Sequence, residues 1–191
     1  NGATYDSSGT YSYNGSSNNY SMSFDGVDDY IDCGDISIYG TELTFMSWVK
    51  VNYFPSGSGS SGVSNIFRQH WGGGHWMRFD NGVLNVNLGG VSSTAGNTFN
   101  TNFNTNQWYH VAGVYNGSQL KLYVNGVLDM QYYYSGNLMT YPGEPFELGG
   151  APISAELLNG NIEEPSIWLR DLTQSEIQQY MNCPPTGNES G

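Results

Sequence analysis

The chemistry open to this chain rests on carboxylates, two His-Trp pairs and tyrosines. Basic residues are scarce: 17 Asp and Glu stand against 5 Lys and Arg, for a formal charge of -12. The run His70-Trp71-Gly72-Gly73-Gly74-His75-Trp76 sets three glycines between two His-Trp pairs, which makes a sharp, open loop. An exposed Trp71 would be a platform on which the C–H face of a sugar stacks. Two other readings stand beside that one. The loop is a hairpin whose Trp rings fold back over the sheet, or His70 and His75 hold a metal adventitiously with nearby carboxylates. Arg68 and Arg78 flank the loop, ready to pair with acidic groups or a ligand. Tyr132, Tyr133 and Tyr134 are consecutive, so on a strand they point to both faces and at least one lies outside. Tyr133 and Tyr141 therefore join the ligand candidates.

The surplus of acid excludes DNA, RNA and anionic membrane surfaces as partners, because these need clustered Lys and Arg. It reads either as the soluble acidic surface of a secreted protein or as carboxylates for Ca²⁺, a hard cation that takes oxygen ligands. The two cysteines, Cys33 and Cys183, lie near opposite ends of the chain. They could close one long-range disulfide, whose stabilisation would be roughly 4–5 kcal/mol by the loop-entropy argument. Their spacing suggests neither zinc nor a nucleophile. No apolar run is long enough for a transmembrane helix, and no signal peptide is expected in the chain as it stands.

The elements that must position these residues read as strands. A chain of 191 residues suits one domain. With only 38% hydrophobic residues but 15% aromatic, Tyr and Trp must supply much of the buried area. From Trp108 to Val127 the pattern is strand, Asn116-Gly117, strand, Asn125-Gly126, the signature of an antiparallel meander with tight turns. Leu43–Val51 is a core strand, Val83–Leu88 follows a turn at Asp80-Asn81-Gly82, and 54–63 is a flexible loop with no means of packing itself. Pro165 puts the strand at 160–170 on an edge or at a bulge. One helix is expected at 173–182, with Thr173 and Glu176 as a capping box and Ile177, Tyr180 and Met181 as its apolar stripe. Residues 1–20 read as an entry segment whose tyrosines dock on the sandwich, 21–183 as the domain, and 184–191 as a linker or tail.

SFDGVDDYID at 23–32, LTFMSWVKV at 43–51, WMRFDNGVLNVNLGG at 76–90, QWYHVAGVYNGSQLKLYVNGVL at 107–128, FELGG at 146–150 and NGNIEEPSIWLRDLTQSEIQQYMN at 159–182 carry a resemblance. In that order they resemble the LamG-like, concanavalin A-like jelly-roll domains. The resemblance implies an all-β, two-sheet antiparallel sandwich with one short C-terminal helix. It implies a structural Ca²⁺ at the positions matched by Asp25, Asp29 and Glu163, although Glu163-Glu164-Pro165 departs from the family's usual Asp and Val. It further implies that the corner at 25–29 lies close to Glu163 and Glu164, and that the helix lies near Cys33, in favour of the disulfide. Trp108 and His110 recur in the family's core strand, which makes them packing residues, as are Trp48 and Trp168.

A retaining glycosidase needs two carboxyl groups roughly 5–5.5 Å apart. In this superfamily they come as E-x-D-x-E on one strand, and no such run occurs. Glu163 and Glu164 are adjacent and face opposite sides of a strand. The expectation is a non-catalytic, secreted or cell-surface binding module, monomeric as an isolated domain, that takes carbohydrate or a glycosylated partner. The rival expectation is a protein–protein adhesion module that binds no free sugar.

Overall fold

The computed structural model describes residues 2–6, 11–13, 16–18, 20–70, 73–91, 97–151 and 156–183. Fifteen strands and one helix are found among them. In chain order they are β1 (Thr4–Asp6), β2 (Tyr11–Tyr13), β3 (Ser16–Asn18), β4 (Ser21–Asp25), β5 (Ile31–Asp32), β6 (Leu43–Val51), β7 (Val63–Gln69) and β8 (His75–Asp80). There follow β9 (Val83–Asn87), β10 (Asn97–Thr98), β11 (Trp108–Tyr115), β12 (Gln119–Val124), β13 (Val127–Tyr133), β14 (Phe146–Leu148), β15 (Asn159–Trp168) and α1 (Gln174–Tyr180). They build a seven-stranded sheet in the order β1-β4-β15-β6-β11-β12-β13 and a six-stranded sheet in the order β10-β9-β8-β7-β14-β5, with β2 and β3 paired separately. This is the expected antiparallel sandwich.

Alternation decides which side chains meet between the sheets. Leu43, Phe45, Val49 and Val51 of β6, Val111 and Tyr115 of β11, and Met77, Phe79, Leu84 and Val86 of the facing sheet share one buried core. Gly113 lies at the centre of β11, facing Met77 and Val86 of the other sheet. The opposite face of β6, β11 and β12 presents Met46, Ala112, Val114 and Tyr123, and Leu172 and Ile177 from the helical segment cover them. The anticipated capping box is formed: Thr173 Oγ1 accepts from the Glu176 amide, and the Glu176 carboxylate accepts from the Thr173 amide at 2.8 Å.

The turns show how far local sequence reaches. Asn81-Gly82 and Asn125-Gly126 both take positive φ at each residue, the tight hairpin geometry that Asn-Gly favours. Asn116-Gly117 does not, since only Gly117 is positive there. Asn116 instead turns its side chain inward, and Oδ1 accepts from the amides of Ser118 and Gln119. The segment 54–63 is tied down rather than loose. It holds a 3₁₀ turn at Gly59–Gly62, donates from the Gly57 amide to Asn81, and bonds Glu156 through Ser60. At the chain's start the backbone of β1 docks on β4, but Tyr5 itself is 83% exposed, so backbone pairing rather than its ring fixes that strand.

The expected disulfide is absent. Cys33 and Cys183 are free and exposed. Cys33 follows β5 in the six-stranded sheet, its amide bonded to Phe146, whereas Cys183 ends the turn after α1, which packs on the outside of the seven-stranded sheet. The two thiols thus belong to different layers. Although the residue reaches the surface, partial desolvation of its thiol together with the charges of Asp32 and Glu147 pushes the Cys33 pKa up, so it stays protonated.

Candidate functional site

The β7–β8 hairpin brings part of the sequence-predicted group together. His70 is held at φ 64 where the strand ends. Its ring stacks on Tyr141 with centroids 4.5 Å apart, while His75 stands T-shaped to the same tyrosine at 5.4 Å. Tyr141 donates its hydroxyl to the Gly73 carbonyl at 2.9 Å, and His75 Nε2 is 2.8 Å from the Met139 carbonyl. Burial lowers the pKa of His75 against the raising effect of that backbone bond, so the ring is neutral. Two carboxylates unforeseen in the sequence complete the cluster. Glu144 lies 3.6 Å from His70 Nδ1, and Asp35 accepts from the Gly143 amide at 3.0 Å. Both come from loops, which leave no periodic signal to read. Trp71 lies outside the described residues.

Arg68 and Tyr133 are not part of this cluster. Register pairs Asp32 with Glu147, Glu147 with Arg68, Arg68 with Trp76 and Trp76 with Asn87, so these five side chains cross the outer face of the six-stranded sheet in one row. Arg68 is buried there and its guanidinium stands 4.0 Å from Glu147. In the next row Arg78 lies over the Trp76 ring at 4.0 Å and 3.9 Å from Glu156. These cations offset buried carboxylates. Tyr133 is on β13, the far edge of the other sheet, and is 70% exposed. Its neighbours Tyr132 and Tyr134 turn the other way and bond Thr98 and Asn97.

The acidic corner has a different membership from the expected one. Asp25, Asp28 and Asp29 bring one oxygen each to within 4.8 Å of one another. Glu163 is not with them: Asp25 faces Asn159 across the β4–β15 ladder, and Glu163 stands four residues further along β15, roughly 13 Å away. It lies instead beside Trp48, with His110 on that residue's other side, and both Glu163 and His110 are buried on the outer face of the seven-stranded sheet. The donor set at the corner nevertheless suits a hard cation. Asp29 Oδ2 accepts from the Asp25 amide and Asp25 Oδ1 from the amides of Val27 and Asp28. Among the described residues Asp25 and Asp29 each use one oxygen in these bonds, so turn capping and cation ligation are compatible.

The two-sheet topology and these loops now bear on ancestry. The family described as "Concanavalin A-like lectin/glucanases superfamily" matches residues 25–178. The chain belongs to the concanavalin A-like lectin/glucanase superfamily. Among curated proteins no sequence matches. Similar solved folds include domain 4 of AbnA, a GH43 extracellular arabinanase from Geobacillus stearothermophilus in complex with arabinotriose. It is 18% identical with a TM-score of 0.66, over 94% of this chain and 81% of that one. A native heptameric SAP-like pentraxin from Limulus polyphemus is 17% identical with a TM-score of 0.65, over 87% of this chain and 83% of that one. A protein described as carbohydrate binding from Bacteroides ovatus is 19% identical with a TM-score of 0.64, over 80% of this chain but only 44% of its own length. At such identities the likeness is one of fold.

Proposed function

We propose that this chain is a non-catalytic, extracellular carbohydrate-binding module whose loop-end site is built on Tyr141. The observation that carries the reading is the convergence of His70, His75 and Tyr141 with the carboxylates of Glu144 and Asp35 at one end of the sandwich. A stacked, half-exposed ring pair offers an apolar face for sugar C–H groups, and the carboxylates accept from hydroxyls. Membership of a lectin/glucanase superfamily and the carbohydrate named for two similar folds support it. Against catalysis stands the buried Arg68 beside Glu147, which occupies the one cross-strand carboxylate pair on the outer face of the six-stranded sheet, Asp32 with Glu147, among the described residues. Calorimetric titration with a panel of neutral oligosaccharides tests the site. Tyr141→Ala is expected to weaken binding about tenfold, the value of one stacked ring. Binding that is unchanged in that variant removes the loop-end site, and capture of a glycan-free protein surface in its place selects the adhesion reading.

Ca²⁺ belongs to the same proposal as a stabiliser held by Asp25, Asp28 and Asp29. A ligand that binds only the folded chain raises its melting temperature with concentration. Millimolar Ca²⁺ is therefore expected to raise the melting temperature, EDTA to reverse it, and Asp28→Asn to abolish the response. A melting temperature indifferent to Ca²⁺ rejects the metal.

A further inference from the structure

Beside α1 the outer face of the seven-stranded sheet holds a groove of about 410 Å³ that the loop-end site does not use. Register builds its floor. Val114, Lys121 and Gln131 form one row across β11, β12 and β13, and Gln119 stands opposite Tyr133 in another. Its far wall is the segment that leads into the helix, with Asp171 and Gln174. Tyr123 and Leu128 supply apolar surface beneath these groups.

The lining is rich in hydrogen-bonding groups, several with capacity to spare. Lys121, one of 5 basic residues in the chain, has no ion pair among the described residues, and Asp171 is exposed. Gln174 gives its amide to the Gly126 carbonyl and keeps its oxygen, while Gln131 donates to the Tyr133 hydroxyl at 2.9 Å and so holds that exposed ring at the rim. An ammonium donates, a carboxylate accepts from two adjacent hydroxyls, and glutamine does both. Together with one exposed aromatic ring, these are the groups that recognise a polyhydroxylated ligand of alternating polarity. The volume is within the ordinary range for small-molecule sites. A formal charge of -12 disfavours acidic sugars by repulsion.

We infer that this groove, with Tyr133 at its rim and Lys121 and Asp171 across it, is a second binding site for short neutral oligosaccharides, separate from the loop end. The inference rests on the reading of the chain as a carbohydrate-binding module but not on the site chosen for that reading. The test is a ¹⁵N-resolved NMR titration of the full chain with neutral di- to tetrasaccharides of arabinose, xylose, glucose and galactose. It is repeated on Tyr133→Ala, Asp171→Asn and Tyr141→Ala, with thermal melting as the control for folding. The expected result is saturable shifts at 119–133 and 171–174 that Tyr141→Ala leaves intact, with affinity there at least tenfold weaker in Tyr133→Ala and Asp171→Asn. Shifts confined to 70–75 and 141–144 overturn the groove and leave the loop-end site standing. Shifts confined to the groove support it and overturn the loop-end site. No shift with any member of the panel overturns both.

Discussion

Glu163 and His110 flank the Trp48 indole in a row across three strands, and each has a buried polar atom without a partner among the described residues. Burial, with the charge of Glu164 added, pushes the Glu163 carboxyl up to about 7 from its ordinary 4.5, and burial lowers His110 to about 3 from 6.5. The folded state thus binds the Glu163 proton more tightly than the unfolded one, so that group's stabilisation is full below pH 4.5 and is lost as pH rises to 7. His110 acts oppositely: its contribution is full above pH 6.5 and is lost as pH falls towards 3. Between 4.5 and 6.5 the two slopes cancel. Glu163→Gln is expected to uncover the His110 slope, so that stability in urea rises steadily from pH 4.5 to 6.5, and to leave the variant more stable than the parent at pH 8 by up to about 3 kcal/mol. A variant with the parent's pH profile would falsify this account. The sequence could place Glu163 on a strand and on the face opposite Glu164. It could not show the register that carries Glu163 away from the acidic corner, nor that Asp28, overlooked beside Asp25 and Asp29, stands there in its place.

Elements with a local code were legible. The Thr173–Glu176 pair specified the start of α1, and its carboxylate is held below the usual range chiefly by bonds from Thr173, with Arg170 2.8 Å away. Thr173→Ala removes the acceptor for the Glu176 amide and is expected to cost about 1 kcal/mol in chemical denaturation. A loss near zero implies that packing of Ile177 and Leu172 alone fixes the helix. Pro165 announced the interruption of β15, where register shifts between Glu163 and Ser166 and Glu164 adopts φ 50. What stayed hidden was contact made by irregular backbone. Tyr141 reaches Gly73 across 68 positions. No periodicity couples such segments, so the loop-end cluster could be proposed only from residue type. The same limit explains the helix: an apolar stripe shows that it packs but not on which sheet, and the expected neighbourhood with Cys33 failed for that reason.

At the scale of the molecule, four of the five cations are taken up by carboxylates or an indole ring, and only Arg68 is buried. Arg68 and Arg78 lie near Glu147 and Glu156 on one sheet face, and Arg170 bonds Glu176. Lys50 sits 5.2 Å from the Trp108 ring centroid. The surface is left strongly acidic, which suits solubility and neutral ligands. The strand order also governs when the fold can be completed. β15 is wedged between β4 and β6, so that Ile162 pairs with Met22 on one side and Val49 on the other. The first long strands made during synthesis therefore have no direct partner in each other and wait for residues 159–168 to arrive from the far end of the chain. Until then the edges of β4 and β6 that β15 will pair stay unpaired and open to wrong partners. The seven-stranded sheet is complete only once β15 has inserted between β4 and β6.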